Sequence, residues 1–320
     1  MYPSMLFPGK QPKGAELGGF EARFQLRWWS PWSWWLVGRR VRNADLIVLP
    51  WVTPFHALPL RVLLAAARGV PAVAIVHNPD PHESMPFARS ALRLFLRRCS
   101  GALVHADVLA ERLLEITSVE RVEVTPHPPN LAIEPSALPS RPPLRLLMAG
   151  FVREYKGADL AIDAVVEARQ QGIEVSLTVA GDFWEPVEKY RAQVEARDAA
   201  AFVELRPGYL GDEMLLDLLR EHHALIAPYR AASVSGVVPL ALAAGRPVVA
   251  TPVGGLVESV SHGVSGVLAT RVDATALADA IVCLNRDVER LASSGPRYAG
   301  DWTELAEALL RLLGKPVSRP

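Results

Sequence analysis

Three short segments in the second half of the sequence combine glycine with charge or hydroxyl groups in a way that suits an anion. Ala149-Gly150-Phe151-Val152-Arg153-Glu154-Tyr155-Lys156-Gly157 follows an apolar run and opens a helical pattern. Gly150 lets the chain turn and leaves room for a bulky group. Arg153 and Lys156 bring positive charge to a helix start whose free N–H groups already favour anions. A diphosphate would fit there, although a solvated basic loop has the same composition. Ser233-Val234-Ser235-Gly236-Val237-Val238-Pro239 follows another apolar run, with Pro239 read as a first helical residue. Ser235 and Gly236 could present N–H groups and a hydroxyl to an anion, or simply cap a turn. In Ala250-Thr251-Pro252-Val253-Gly254-Gly255-Leu256-Val257-Glu258, the adjacent glycines permit positive φ or close backbone approach, and Glu258 falls near a helix start. An ordinary turn accounts for that segment equally well.

The first half offers Val76-His77-Asn78-Pro79-Asp80-Pro81-His82-Glu83. His77 ends an apolar strand pattern, the place where open α/β sheets bind ligands. A structural histidine is the alternative. His82 and Glu83 are candidate acceptor contacts, and Glu83 could equally favour the next helix N-terminus. His127, between Pro126 and Pro128, ranks below His77. No Asp-x-Asp pair is present and the two cysteines, Cys99 and Cys283, are far apart, so no metal site is expected.

The elements that must hold these residues alternate regularly. Apolar runs over 45–50, 71–76, 101–104 and 122–125 are separated by helical patterns over 57–68, 86–98 and 107–116. Seven prolines fall between 126 and 143, a density that no helix or central strand tolerates. The alternation then restarts, with strands expected at 144–148, 174–180, 203–205, 224–227, 247–250 and 267–268. Helices are expected at 158–170, 186–199, 212–221, 239–244 and 275–286. The fold class is α/β, with two Rossmann-like parallel-sheet domains facing a cleft. The expected domains are 1–138, 139–300, and a C-terminal helix and tail over 301–320. A separate oddity is Arg27-Trp28-Trp29-Ser30-Pro31-Trp32-Ser33-Trp34-Trp35, five tryptophans in nine residues. They either pack beneath a loop and a helix starting after Pro31, or form a sugar-stacking or lipid-interface surface.

Lys plus Arg equals Asp plus Glu at 34 each, so the overall charge gives no reason to expect a nucleic-acid partner. Sparse cysteine, no secretory pattern and no long apolar run point to a cytoplasmic protein. Arg89, Arg93 and Arg97 recur every four residues within 86–98, so peripheral contact with the inner membrane face is one reading, and an ordinary surface helix the other.

Taken together, the three glycine segments resemble the donor domain of family 4 glycosyltransferases over about residues 144–285. GFVREYKG is similar to the family's glycine–basic–Lys-Gly segment. SGVVPLALAAGRPVVATPVGGLVE is similar to its donor-binding helix, following strand and Gly-Gly-x-x-Glu turn. The resemblance implies a GT-B fold, a nucleotide-diphosphate-sugar donor and retention at the anomeric carbon, with no cofactor or metal. It implies that Gly150, Arg153, Lys156, Gly157, Ser235, Gly236, Val237, Gly254, Gly255 and Glu258 bind donor, and that His77 meets the transferred sugar. The acceptor would be a saccharide, a lipid-linked glycan or a small molecule. Two departures stand out. Alignment on Gly245 puts Ala232 and Leu240 where the family carries two glutamates. The family's opening strand–glycine loop–helix unit, about forty residues, has no counterpart ahead of Met1; a misassigned start and a shortened chain both fit. These departures keep open a non-catalytic nucleotide-sugar-binding subunit, and a sugar-nucleotide 2-epimerase, which shares the two-domain architecture, is a further reading. Asp182 and Glu258 are the residues that could replace the lost carboxylates in hydroxyl recognition.

Overall fold

A computed structural model of the chain describes residues 25–27, 29–80, 85, 87–293 and 301–314. The chain forms two compact units. One takes the described residues of Met1–His105, Leu109–Thr125 and Ala306–Pro320; the other takes Ala106–Val108 and the described residues of Pro126–Leu305. His82 and Glu83 lie outside the described residues.

The first unit runs α1 (Pro31–Arg40), β1 (Ile47–Trp51), α2 (Ala57–Ala67), β2 (Ala72–Val76), α3 (Ala88–Leu96), β3 (Gly101–Val104), α4 (Asp107–Ile116) and β4 (Val122–Val124). Its four strands are parallel, in the order β1-β2-β3-β4. Val73, Ala74, Val76, Leu103 and Val104 are wholly buried, as expected of strands covered on both faces. β1 alternates instead, burying Ile47, Leu49 and Trp51. It is an edge strand among the described residues, which is where Pro50, lacking an N–H, is tolerated. Trp51 stacks on Phe95 of α3 with ring centroids 5.4 Å apart.

α1 starts where Pro31 occupies the first turn and the Ser30 hydroxyl accepts the Ser33 N–H. It lies so close to α2 that a Cβ on Gly38 would fall 2.2 Å from the Leu63 carbonyl oxygen. Of the tryptophan cluster, Trp34 is buried and donates its indole N–H to the Arg27 carbonyl (3.0 Å), whereas Trp29 and Trp32 are exposed. The arginines of α3 are largely committed. Arg89 pairs with Asp80 (3.1 Å) and Arg93 donates to the Ile116 carbonyl. Burial works against the Asp80 carboxylate, but hydrogen bonds and charge from Arg112 and Arg89 hold its pKa below the usual range.

The second unit runs β5 (Leu144–Ala149), α5 (Ala158–Gln170), β6 (Val175–Gly181), α6 (Val187–Ala196), β7 (Val203–Pro207), α7 (Asp212–Glu221), β8 (Ala224–Ala227), α8 (Val237–Ala243), β9 (Val248–Ala250), α9 (Leu256–Ser259), β10 (Gly266–Leu268) and α10 (Ala274–Ser293). Its six strands are all parallel, in the order β10-β9-β8-β5-β6-β7. Side chains of β5 alternate between two buried clusters. Leu144, Leu146 and Met148 join α5 and α10, while Leu147 and Ala149 join α7 and α8. Burying each of these leucines contributes about 1.5–3 kcal/mol. A last helix, α11 (Trp302–Leu312), places Arg311 2.9 Å from Glu123 within the first unit.

Several element boundaries differ from the sequence expectation, two of them for a clear physical reason. α8 begins at Val237, so Pro239 is its third residue rather than its first. α10 continues past Arg286 to Ser293 because Val288 and Leu291 extend its buried stripe.

The proline-rich stretch is strapped onto the second unit by two side chains. Arg246 is 1% exposed and spends its guanidinium entirely on oxygens, including the Leu219 carbonyl (2.8 Å), Ser136 carbonyl and hydroxyl (2.7 Å each) and Ala137 carbonyl (3.1 Å). His223 is wholly buried; its Nδ1 accepts the Arg145 N–H (2.9 Å) and its Nε2–H donates to the Pro139 carbonyl (3.0 Å). Burial pushes the His223 pKa down to about 4. Protonating Nδ1 would remove the acceptor that Arg145 needs. The folded pKa lies below the unfolded value of about 6.5, so the stabilisation is present above that value and is lost as pH falls towards 4. We expect unfolding free energy to drop by up to about 3 kcal/mol across that window. Urea titrations should show the drop shrinking in His223→Gln; an equal drop in the variant would remove His223 as its source.

Candidate functional site

The site is built from the loops that follow β5, β6 and β8. Gly150 (φ +107°) follows β5 and Gly181 (φ +144°) ends β6, both in backbone conformations that favour glycine. The two glycines touch. A Cβ on Gly181 would fall 1.7 Å from the Gly150 carbonyl oxygen. Beyond them the loops zip together through Val152 N–H to the Asp182 carbonyl (2.8 Å) and Trp184 N–H to the Val152 carbonyl (3.0 Å). A single 3-10 turn, Glu154–Lys156, then turns the Lys156 side chain back over Gly150. The ammonium lies 3.7 Å from the point where a Gly150 Cβ would stand and 5.4 Å from the centre of the Tyr229 ring.

The β8 loop crosses this turn tightly. A Cβ on Gly157 (φ +68°) would meet the Pro228 carbonyl at 2.2 Å. Arg230 clamps the crossing: its N–H donates to the Tyr155 carbonyl (2.7 Å), and its guanidinium reaches the Glu154 carbonyl (3.1 Å) and both oxygens of Asp159 (2.8 and 2.6 Å). Burial opposes ionisation of Asp159, but Arg230 more than offsets it and holds the pKa below the usual carboxylate range. Farther along the loop, Tyr229 and Ser235 hydroxyls lie 3.2 Å apart.

The result is a cavity of about 250 Å³ lined by Gly150, Phe151, Lys156, Gly181, Asp182, Gly236 and Val237, with Asn130, Tyr209, Leu210 and Leu215 completing the wall. Lys156 meets no carboxylate at ion-pair distance among the described residues, and it lines the cavity together with Asp182. The wall thus offers one cation, one carboxylate, backbone N–H groups and aromatic or aliphatic faces. That set suits a ligand with an anionic segment, hydroxyls and a flat apolar part.

The remaining sequence candidates sit elsewhere. Arg153 stacks on Trp184, its guanidinium carbon 3.6 Å from the ring centre, outside the lining. Gly254 (φ +48°) and Gly255 admit the backbone of the Ala232–Ser235 loop: Cβ atoms there would fall 1.7 and 2.3 Å from the carbonyl oxygens of Ala232 and Ser233. They shape the loop that carries Ser235 and Gly236. The Glu258 carboxylate accepts the Asp107 and Val108 N–H groups (2.6 and 3.0 Å), a helix start that groups with the same unit. Of the two carboxylates considered for hydroxyl recognition, only Asp182 faces the cavity. Leu240 is wholly buried among apolar residues. In the first unit, His77 follows β2 half-buried, with its ring 5.1 Å from that of His105. Sequence reading missed Asn130, Tyr209, Tyr229 and Arg230, which carry no motif. The Tyr-Arg pair immediately after β8 was the available signal, since strand ends in α/β units feed the site.

Two units of parallel strands covered by helices, the second with a cavity at its strand ends, make up the α/β fold of GT-B glycosyltransferases. Residues 143–287 match the family described as Glycosyl transferases group 1, so the second unit carries a glycosyltransferase family domain. Among curated relatives, the amylovoran biosynthesis glycosyltransferase AmsK of Erwinia amylovora is 29% identical over 209 residues, covering 62% of this chain and 49% of that protein. D-inositol 3-phosphate glycosyltransferase 1 of Catenulispora acidiphila is 28% identical over 291 residues, covering 80% and 69%. The chain spans about half the length or less of several relatives, 44% for the D-inositol 3-phosphate glycosyltransferase of Paenarthrobacter aurescens. Among solved structures, Anabaena HepE in complex with UDP superposes with a TM-score of 0.70 at 18% identity, over 88% of this chain and 82% of that one. Sucrose-phosphate synthase from Thermosynechococcus elongatus gives 0.67, also at 18% identity, over 88% and 77%. No helix among the described residues is long and apolar enough to cross a membrane.

Proposed function

We propose that this chain transfers a sugar from a nucleoside-diphosphate-sugar to an acceptor hydroxyl, as a family 4 enzyme retaining the anomeric configuration. The observation that carries the proposal is the Lys156 ammonium, poised over Gly150 in a cavity formed by three strand-end loops. As the sugar–phosphate bond breaks, negative charge grows on the departing diphosphate. A fixed cation and backbone N–H groups aimed at that point stabilise it without reorganisation. Gly236 and Val237 supply N–H groups from the β8 side, Asp182 accepts hydroxyls of ribose or sugar, and Tyr209 offers a face to the base. Gly157, Gly254 and Gly255 hold the loops in place, and Ser235 is fixed through Tyr229. In this reading the phosphate charge is met by the Lys156 ammonium and backbone N–H groups, so no metal is assigned to that role. His77, at the carboxyl end of β2, is assigned to the transferred sugar in line with the resemblance.

The test is binding of UDP, GDP and ADP followed by release of the nucleoside diphosphate from the matching nucleotide-sugars. Nucleotide binding with acceptor-stimulated turnover supports the proposal, and absence of binding to all three defeats it. A second reading, binding without turnover, is favoured by the buried Leu240 and by Ala232. Binding with neither hydrolysis nor transfer would select it.

Arg230 and Asp159 set the height of the turn that carries Lys156. Arg230→Gln and Asp159→Asn are each expected to raise the donor KM about tenfold, since a small misplacement of a binding group is costly. The double variant should be no worse than either single one, because both remove the same clamp. Additive losses in steady-state kinetics would count against a shared clamp.

A further inference from the structure

The tryptophan cluster takes no part in the cavity above, and α1 shows what it presents. On a helical projection Trp34 and Gly38 face α2, while Trp32, Leu36, Arg39 and Arg40 point the opposite way. Trp29, Trp32 and Leu36 are 59%, 63% and 38% exposed. Trp32 and Trp35 stack with centroids 4.6 Å apart, and Arg39 lies over the Trp35 ring at 4.8 Å. Beside them runs a cavity of about 390 Å³, lined by Arg27, Ser30, Trp32, Ser33, Leu36 and Arg40 among others. The surrounding sequence is locally basic in a chain of zero net charge. Between residues 25 and 79 stand Arg27, Arg39, Arg40, Arg42, Arg61 and Arg68 against a single carboxylate, Asp45; Arg42 and Arg61 donate to the Ala66 and Leu94 carbonyls, so Arg39 and Arg40 are the cations that α1 presents.

We propose that this face of α1 docks on an anionic lipid bilayer, lying in the interface with Trp29, Trp32 and Leu36 at acyl-chain level and the arginines on headgroup phosphates. Indole rings favour that depth because the body is apolar and the N–H polar. Arginine forks match phosphate oxygens, and Arg39 and Arg40 meet no carboxylate at ion-pair distance among the described residues. The groove holding Arg27, Ser30, Ser33 and Arg40 beside the apolar Trp32, Leu36 and Val37 has the chemistry of a headgroup seat. The close Gly38–Leu63 approach fixes α1 on α2, so the face is presented rigidly. This placement differs from the 86–98 helix expected from sequence, where Arg89 and Arg93 are already bonded within the unit.

The test is co-sedimentation of the full chain with vesicles of phosphatidylcholine alone and of phosphatidylcholine with phosphatidylglycerol, at low and high salt. We expect binding to the anionic vesicles that weakens with salt. Trp32→Ser with Leu36→Ser, and separately Arg39→Gln with Arg40→Gln, should each weaken it at least tenfold. Arg97→Gln should leave it unchanged. All of these side chains are exposed, so circular dichroism and thermal midpoints should match the parent. No preference for anionic vesicles, unchanged binding in both α1 variants, or loss only in Arg97→Gln would overturn the proposal. So would a concentration-dependent dimer abolished by the α1 variants without vesicle binding, which would give the face to a second copy.

Discussion

Lys156→Ala should lower the rate of sugar transfer by about 10²–10³-fold, the cost seen when one preorganised group facing a developing oxyanion is removed. The reasoning rests on what surrounds the ammonium. Lys156 has no carboxylate partner at ion-pair distance among the described residues, and its remaining contact is a long approach to the Tyr229 ring. Such a contact contributes about 0.5–1 kcal/mol, so the folded state should hardly notice the change. The thermal midpoint is therefore expected to stay within a few degrees while kcat collapses. Single-turnover measurements with saturating donor separate the chemical step from binding. Lys156→Arg restores charge with a different shape and should recover part of the loss. Undiminished turnover in Lys156→Ala would remove the assignment of this cavity to the donor diphosphate.

Arg246→Met should destabilise the second unit by roughly 4 kcal/mol, the largest effect on folding that the structure suggests. The guanidinium is 1% exposed and serves five oxygens from two stretches of chain, 136–137 and 219–220. Methionine fills much of the space but donates nothing, and each buried oxygen left without a donor costs about 1–3 kcal/mol. Some would find water. Burial lowers the pKa of Arg246, yet the group stays charged at any ordinary pH, so the loss should be independent of pH between 7 and 9, above the range in which His223 titrates. For a unit of this size, the expected fall in thermal midpoint is about 8–16 °C by calorimetry. Arg246→Lys, with three donors and no fork, should fall between. A midpoint unchanged in Arg246→Met would mean that the strap over Ser136 and Ala137 does not contribute to stability.

Much of the fold was legible because strands buried on both faces read as unbroken apolar runs. α2, α4, α5 and α7 began where the helical pattern did, and β3 and β8 matched their runs residue for residue. α8 was read two residues late because Pro239 resembles a helix opener, whereas Gly236 already lets the helix begin at Val237. The site was legible only in part. Gly150, Lys156, Gly236 and Val237 were named from local motifs and meet around one cavity. Gly254, Gly255 and Glu258 belong to equally local motifs, but which side of the loop they support is decided by contacts over twenty to one hundred and fifty residues apart. Arg230 had no signature, since an arginine after a strand looks like any surface cation until Asp159 is known to be opposite. Arg246 was hidden for the opposite reason: charged residues are read as exposed, and nothing in the sequence marks one that is buried to serve carbonyls.

The strap also bears on where the second unit can be cut free. A fragment starting at residue 139 would lose Ser136 and Ala137, and with them several of the oxygens that solvate Arg246 inside the protein. A buried cation would then face a hole that only water could fill. A fragment starting at residue 126 carries its own internal solvent for that charge. The prolines that look like a spacer are, for Arg246, the shell of carbonyls that lets a cation live where water does not reach.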